Sequence, residues 1–228
     1  MSALTISEAK THYDIEEMSG WQACSKCAAD PSDSSPPIAT YYMKQHMSSP
    51  SQDSDATEFH IGGSTPYANA LFSKRLEGDA SVIRQAHHFI YEMNFYYKNA
   101  SAAQALEFDI NQMIDGKRFI WGTQCNIRAG AVWDIWDNIN HKWVHTGASC
   151  TAPPTYKWNK VVLEMERTSD NKLRYVSITL NGKKHYLNRY YKPTGTSWTG
   201  MTMNFQLDGN ARQDDYSVWV DNFSLKWW

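Results

Sequence analysis

The sequence predicts an all-β fold, an antiparallel β-sandwich or jelly roll. Short runs of alternating apolar and polar residues recur along the chain, separated by turn motifs such as "IDGK", "DNINHK" and "NGK". No helix of ordinary length is predicted, although Ile6–Met18 carries weak helical spacing. Strands without crossover helices are typical of sandwiches, which often reach the 228 residues of this chain as one unit. We therefore expect a single domain spanning residues 1–228.

The first part of the chain is the least regular. Residues 1–60 contain Ser, Pro and Asp clusters such as "ADPSDSSPP" and "SSPSQDSD", which interrupt any long periodic element. We expect this segment to be loop-rich and to pack on the sandwich. The predicted strands are Ile38–His46, Thr57–Ile61, Ala68–Lys74, His87–Tyr97, Ala105–Met113, Arg118–Ile127, Ala131–Asp137, Lys142–His145, Trp158–Thr168, Leu173–Leu180, Lys183–Leu187, Thr202–Leu207 and Ser217–Lys226. Asn181-Gly182 predicts a hairpin, because this pair suits the two positive-φ positions of a type I′ turn.

Charge and hydropathy exclude several partners. The 22 basic and 24 acidic residues are interspersed, which is unlike the basic footprint of a protein that binds nucleic acid or anionic membranes. No apolar run is long enough to cross a bilayer. The first ten residues do not resemble a signal peptide. We expect a secreted or extracytoplasmic protein whose signal sequence is not part of this chain.

Four cysteines support that location. Cys24 and Cys27 form a C-x-x-C motif, which is found in redox sites and as half of a zinc site, but Cys125 and Cys150 are too far apart in sequence to form the second half. We expect two disulfides, Cys24–Cys27 and Cys125–Cys150, and hence an oxidising compartment.

Aromatic residues are abundant for a polar chain, with 10 Trp and 13 Tyr. Flat rings stack on the apolar faces of sugars while their polar edges form hydrogen bonds, so this composition is usual in proteins that bind glycans. The alternative is that the rings fill the core.

The stretch "ALEFDINQ" predicts a strand with one polar face. Leu106, Phe108 and Ile110 alternate with Glu107, Asp109 and Asn111. The next strands add further polar and aromatic side chains. If Phe119 and Trp121 point inward, the expected binding residues are Asn111, Gln124, Arg128, Trp133, Trp136 and Trp143. The alternative is a solvated outer face.

The C-terminal half resembles the concanavalin A-like lectin/glucanase superfamily. The resemblance rests on "TYKWNKVVLEMER", "LRYVSITLNGKKHYL" and "YSVWVDNFSLKWW". It implies a jelly roll, and it makes "EFD" similar to the catalytic strand of retaining glucanases, with Glu107 as nucleophile and Asp109 as its modulator. The acid/base glutamate of that pattern is replaced by amides, Asn111 and Gln112. Retaining hydrolysis needs two carboxyl groups, so a hydrolase would need another acid, for which Glu92 is the first candidate and Asp134 the second.

The same resemblance implies a structural Ca²⁺ near Asp221, completed by Glu16 or Glu17; no cofactor is otherwise expected. Capping of a turn by Asp221 is the alternative. The sequence therefore favours a lectin-like protein that binds a polysaccharide or oligosaccharide on the concave face of the jelly roll. A glycoside hydrolase is the main alternative. Lesser alternatives are a polysaccharide lyase, which would use Gln124, Arg128, His141 and Tyr residues, and a structural surface protein.

Overall fold

The computed structural model describes residues 9–25 and 39–228. These residues form sixteen β-strands, one short α-helix and one turn of 3-10 helix, Ile15–Glu17. The helix α1 is Ala80–Gln85, and the strands are β1 Lys10–His12, β2 Gln22–Cys24, β3 Thr40–Met47, β4 Ala56–Gly62, β5 Asn69–Glu77, β6 His88–Tyr97, β7 Ala103–Ile114, β8 Lys117–Asn126, β9 Val132–Asp137, β10 Lys142–Ser149, β11 Trp158–Arg167, β12 Leu173–Leu180, β13 Lys183–Tyr191, β14 Thr194–Gly195, β15 Gly200–Gly209 and β16 Tyr216–Trp227.

The strands form two antiparallel sheets, which confirms the predicted sandwich. The front sheet has the order β10-β9-β8-β7-β15-β5-β2, with β14 paired to β8. The back sheet has the order β13-β12-β11-β6-β16-β4-β3, with β1 paired to β16. The Asn181-Gly182 hairpin is also confirmed, since both residues have positive φ, 49° and 82°. No helix among the described residues is long and apolar enough to cross a membrane.

The core lies between the sheets and is strongly aromatic. Phe108 of the front sheet lies 5.7 Å from Phe205 and 6.0 Å from Trp133, measured between ring centroids, and 5.7 Å from Phe95 of the back sheet. All four side chains are almost completely buried. Burial of each such ring contributes about 2–3 kcal/mol to folding.

Two features of the local structure were not evident from the sequence. The strand that carries Glu92 does not neighbour the strand that carries Glu107, because β6 pairs with β11 and β16, whereas β7 pairs with β8 and β15. The connection between β6 and β7 crosses from one sheet to the other. The helix α1 was not predicted; Asp79 caps it by accepting a hydrogen bond from Ser81 N at 2.8 Å. Within the weak helical spacing over 6–18, residues 6–8 lie outside the described residues, and the remainder contains β1 and the 3-10 turn instead of an α-helix.

The structure contains the predicted Cys125–Cys150 disulfide, which ties β8 to the segment after β10. Cys24 is also disulfide-bonded. Its predicted partner, Cys27, lies outside the described residues.

Candidate functional site

Strand β7 presents its polar residues on the outer face of the front sheet. Alternation buries Leu106, Phe108 and Ile110 in the core and turns Glu107, Asp109 and Asn111 the other way. Gln112 follows the same alternation and points to the inner side. Its Nε2 donates to the carbonyls of Ile83 (2.8 Å) and Ala86 (2.9 Å) at the end of α1. Gln112 therefore has a structural role. Of the two amides, Asn111 and Gln112, only Asn111 lies on the polar face with Glu107 and Asp109.

Pairing between strands extends this polar face into two rows that cross the sheet. The first, the glutamate row, runs from β15 to β10 and contains Gln206, Glu107, Gln124, Asp134 and His145. The second, the tryptophan row, contains Asn204, Asp109, Gly122, Trp136 and Trp143. Side chains within a row lie close together because strands in a sheet are about 4.8 Å apart.

The two rows surround a cleft of about 730 Å³. A volume of this size accommodates a small ligand or part of a longer chain. The cleft is lined by Asn69, Leu71, Glu107, Asp109, Asn111, Met113, Arg118, Ile120, Gly122, Gln124, Trp136, His141, Lys142, Trp143, Asn204, Gln206 and Asp208. We call it the central cleft.

Three carboxyl groups meet in the central cleft. Gln206 Nε2 donates to Glu107 Oε1 at 2.7 Å and to Asp208 Oδ1 at 2.9 Å. Glu107 and Asp208 are also hydrogen-bonded to each other. Thr123 N donates to Asp109 Oδ1 at 3.2 Å. Two carboxyl groups that touch can form a hydrogen bond only if one keeps its proton.

Burial raises the pKa of all three groups. The pKa of Glu107 lies well above its ordinary value because its carboxyl is buried and because the charges of Asp208 and Asp109 disfavour its ionisation. Burial also raises the pKa of Asp109 to about 7, and that of Asp208 to about 6. The hydrogen bond between Glu107 and Asp208 favours the proton on Glu107. The cluster therefore carries much less than three negative charges near neutral pH.

Aromatic rings form one wall of the cleft beside these carboxyl groups. Trp136 and Trp143 are half-buried and lie edge to face, with ring centroids 5.2 Å apart. Gly122 makes room for them, since a Cβ at this position would lie 2.9 Å from Trp136 Cβ and 3.4 Å from Trp143 Cη2. The same Cβ would lie 3.5 Å from Asp109 Oδ1, so the indole wall and the carboxyl cluster meet at Gly122.

Asp134 forms a separate network at the edge of the glutamate row. Its carboxylate is completely buried and accepts from Gln124 Nε2 (2.9 Å), Asn126 Nδ2 (3.1 Å) and His145. Asp134 does not line the central cleft. Asp134 therefore orients Gln124 and His145, and it does not stand beside Glu107.

The structure separates the other predicted site residues into two groups. Asn111, Gln124, Trp136 and Trp143 line the central cleft, as do Glu107 and Asp109. Glu92, Arg128 and Trp133 do not. The expectation that Glu92 stands near Glu107 is wrong, because Glu92 lies on the back sheet and pairs with Lys160 at 2.5 Å. Arg128 follows the end of β8 and is exposed, and Trp133 is in the core, 1% exposed.

Strand β15 supplies three cleft residues that the sequence analysis missed: Asn204, Gln206 and Asp208. The signal was present in "MNFQLDG", where they alternate with the buried Met203, Phe205 and Leu207. The predicted strand ended at Leu207 and so omitted Asp208, although β15 continues to Gly209.

The residues predicted to bind Ca²⁺ form a second buried acidic site. Glu16 and Asp221 are both fully buried. Glu16 accepts from Phe223 N, while Asp221 accepts from Gln52 N at 2.6 Å and Ser51 Oγ at 2.9 Å.

This acidic site suits a hard cation in chemistry. Burial raises the pKa of Glu16 to about 8, and the charge of Asp221 adds to the rise. Among the described residues neither carboxylate has a Lys, Arg or His partner. No group of three or more acidic, His or Cys side chains in the described ranges is arranged around a metal position. Ca²⁺ binding by Glu16 and Asp221 therefore stays a prediction, and the ion would need further oxygen ligands such as backbone carbonyls.

No protein-family model matches the sequence, and no curated protein matches it. The fold of this chain resembles those of several solved structures. The cellulose-induced protein Cip1 superposes with a TM-score of 0.50 and 11% identity over 90% of each chain. A carbohydrate esterase from Shiga toxin-encoding bacteriophage phi24B gives a TM-score of 0.48 and 11% identity, over 94% of this chain and 96% of the esterase. A chain from the carbohydrate-binding modules of the β-sandwich superfamily gives 0.43 and 10%, over 96% and 57%.

At these identities the likeness establishes the β-sandwich fold alone. Membership of the concanavalin A-like superfamily remains a prediction. The shared fold also does not establish a function, because similar sandwiches host unrelated activities.

Proposed function

We propose that the protein binds a polysaccharide or oligosaccharide in the central cleft. The observation that carries this proposal is the joining of an indole wall to a row of amides and carboxyl groups at Gly122. A sugar ring offers apolar C–H groups to an aromatic surface and hydroxyl groups to polar side chains. Trp136 and Trp143 would contact the ring, and the β7 and β15 side chains would contact its hydroxyls.

Three unpartnered amide oxygens in the cleft support this proposal. Asn69 Oδ1, Asn111 Oδ1 and Asn204 Oδ1 are buried and have no hydrogen-bond partner among the described residues. A buried acceptor without a partner costs free energy, about 1–3 kcal/mol. Sugar hydroxyls donate hydrogen bonds to such acceptors, so a bound glycan would offset this cost.

The proposal includes an extracytoplasmic location. The Cys125–Cys150 disulfide supports it, because disulfides persist mainly in oxidising compartments. Polysaccharides of the environment or of cell surfaces are available there.

Titration with a panel of plant, algal and microbial glycans tests the binding proposal, using the purified full chain and the variant Trp143→Ala. The expected loss of affinity is about tenfold, which corresponds to about 1.4 kcal/mol for a lost ring contact. Trp158→Ala is the matched control, since Trp158 is a half-buried indole on the back sheet, 5.6 Å from Tyr96. Equal affinities for Trp143→Ala and the native protein, or no binding of any glycan by the native protein, would overturn the proposal.

The second candidate function is glycoside hydrolysis, favoured by the presence of three carboxyl groups, Glu107, Asp109 and Asp208, in the cleft. Asp208 is a carboxyl group that the sequence pattern lacks, and the pKa of Asp109, raised to about 7 by burial, suits a proton donor near neutral pH. New reducing ends that vanish in Glu107→Gln would establish the hydrolase. Glycan binding by the native protein without any product would leave the binding function alone.

A further inference from the structure

The centre of the cleft is rich in oxygen atoms. Its ionisable groups are the carboxyls of Glu107, Asp109 and Asp208. Two cationic side chains, Arg118 and Lys142, also line the cleft. Both are exposed, and they lie at the beginning of β8 and of β10.

Each amide group around the carboxyls donates at least one N–H to a neighbouring side chain. Gln206 donates to Glu107 and Asp208, and Gln124 donates to Asp134. Asn111 Nδ2 donates to Thr202 Oγ1 at 3.2 Å, and Asn204 donates to Asp109.

Two of these amides also present an oxygen that no described residue satisfies. Asn111 and Asn204 are only 8% and 7% exposed, both line the cleft, and the carbonyl oxygen of each has no partner among the described residues. A ligand that brings hydrogen-bond donors to these oxygens would satisfy them.

We propose that the central cleft selects an amino sugar, with a protonated amine placed among Glu107, Asp109 and Asn204. This inference rests on the proposed glycan binding and names the sugar class. An ammonium group has three donors and no acceptor, which matches two carboxyl groups and an orphan amide oxygen. The indole wall beside Asp109 fits the ring that carries the amine.

Two other kinds of ligand fit less well. Uronic acids and sulfated sugars would place a further negative charge beside a buried carboxyl cluster whose members already disfavour one another's ionisation, which is repulsive. A divalent cation is disfavoured because no group of three acidic, His or Cys side chains in the described parts of the chain is arranged around a metal position.

Three tetrasaccharides with the same β-1,4 linkage test the inference: the glucosamine tetramer, the N-acetylglucosamine tetramer and cellotetraose. They differ only at C2, where they carry an amine, an amide or a hydroxyl. Titrations of the full chain at about pH 7 keep much of the amine of the first ligand protonated while Asp109 is partly ionised. The glucosamine tetramer is expected to bind about tenfold or more tightly than either of the others, as a charge-assisted hydrogen bond would give.

Matched variants locate the preference. Glu107→Gln and Asp109→Asn keep the shape of the cleft and are expected to reduce affinity for the glucosamine tetramer more than affinity for cellotetraose, so that the preference for the amine is lost. Glu92→Gln is the control, because Glu92 is an acid on the back sheet. A preference for the amine that survives in the double variant Glu107→Gln/Asp109→Asn would overturn the inference.

The ligand panel separates failure of this inference from failure of the proposed function. Tighter binding of cellotetraose, of the acetylated tetramer or of an acidic glycan would overturn the amino-sugar inference and leave glycan binding intact. If no glycan of any class binds, both proposals fall.

Discussion

Replacement of Asp109 by asparagine is expected to stabilise the fold at neutral and alkaline pH while it weakens the central cleft as a binding site. The introduced amide can keep the hydrogen bond from Thr123 N through its oxygen. Its new N–H donor would face Asn204, whose own amide can rotate to present the oxygen that now has no partner. The variant therefore removes a buried carboxyl group and leaves its hydrogen bonds satisfied.

The magnitude follows from the pKa of Asp109. Burial raises this pKa from 3.8 to about 7. Each unit corresponds to about 1.4 kcal/mol, so ionised Asp109 costs the fold about 4 kcal/mol at most. Between about pH 4 and about pH 7 the folded protein keeps a proton that the unfolded chain has released, so the free energy of unfolding falls as pH rises. Above about pH 7 the loss is complete, and below about pH 4 it is absent.

Denaturation by urea, followed by tryptophan fluorescence from about pH 4 to about pH 8, measures this effect. The curves of Asp109→Asn and the native protein should coincide near pH 4 and separate by up to about 4 kcal/mol near pH 8.

Asp115→Asn is the control with the opposite sign. Asp115 is exposed and bonded to Arg84 at 2.8 Å, and this hydrogen bond lowers the pKa of Asp115. Its loss should therefore reduce stability at neutral pH. A constant difference between Asp109→Asn and the native protein at all pH values would refute the reasoning, because a group that titrates in this range cannot give one.

Three further predictions concern the surroundings of the cleft and the acidic site. Gly122→Ala places a Cβ 2.9 Å from Trp136 Cβ, and the overpacking should cost about 1–3 kcal/mol of stability and reduce glycan affinity; an unchanged thermal midpoint together with unchanged affinity would contradict this. Gln112→Leu removes two hydrogen bonds to buried carbonyls at the end of α1 and should lower the free energy of unfolding by about 2 kcal/mol or more in urea titrations, without changing glycan affinity. Ca²⁺ at a hundredfold excess over its dissociation constant should stabilise the native protein by about 3 kcal/mol and should not stabilise Asp221→Asn. If the thermal unfolding midpoint of the native protein does not change when Ca²⁺ is added, the site is not a calcium site.

The alternation of residues predicted much of the fold and part of the candidate site. Most of the predicted strands from residue 87 onward begin and end within two residues of the observed ones. Glu107, Asp109 and Asn111 share a face because side chains in a strand repeat every two residues. The same rule separates Trp133 from Trp136, which are three positions apart on β9 and therefore lie on opposite faces.

The sequence by itself determined the fold class and which side chains share a face within each strand, because both depend on local periodicity. Only the tertiary structure decided which strands are neighbours. It brought Asp208 of β15 to Glu107 of β7 across about 100 residues of chain, and it placed Glu92 on the other sheet although it lies only 15 positions from Glu107. Such pairing depends on how whole strands bury their apolar faces together, so sequence distance does not reveal it. The carboxyl cluster and its raised pKa values are products of that pairing.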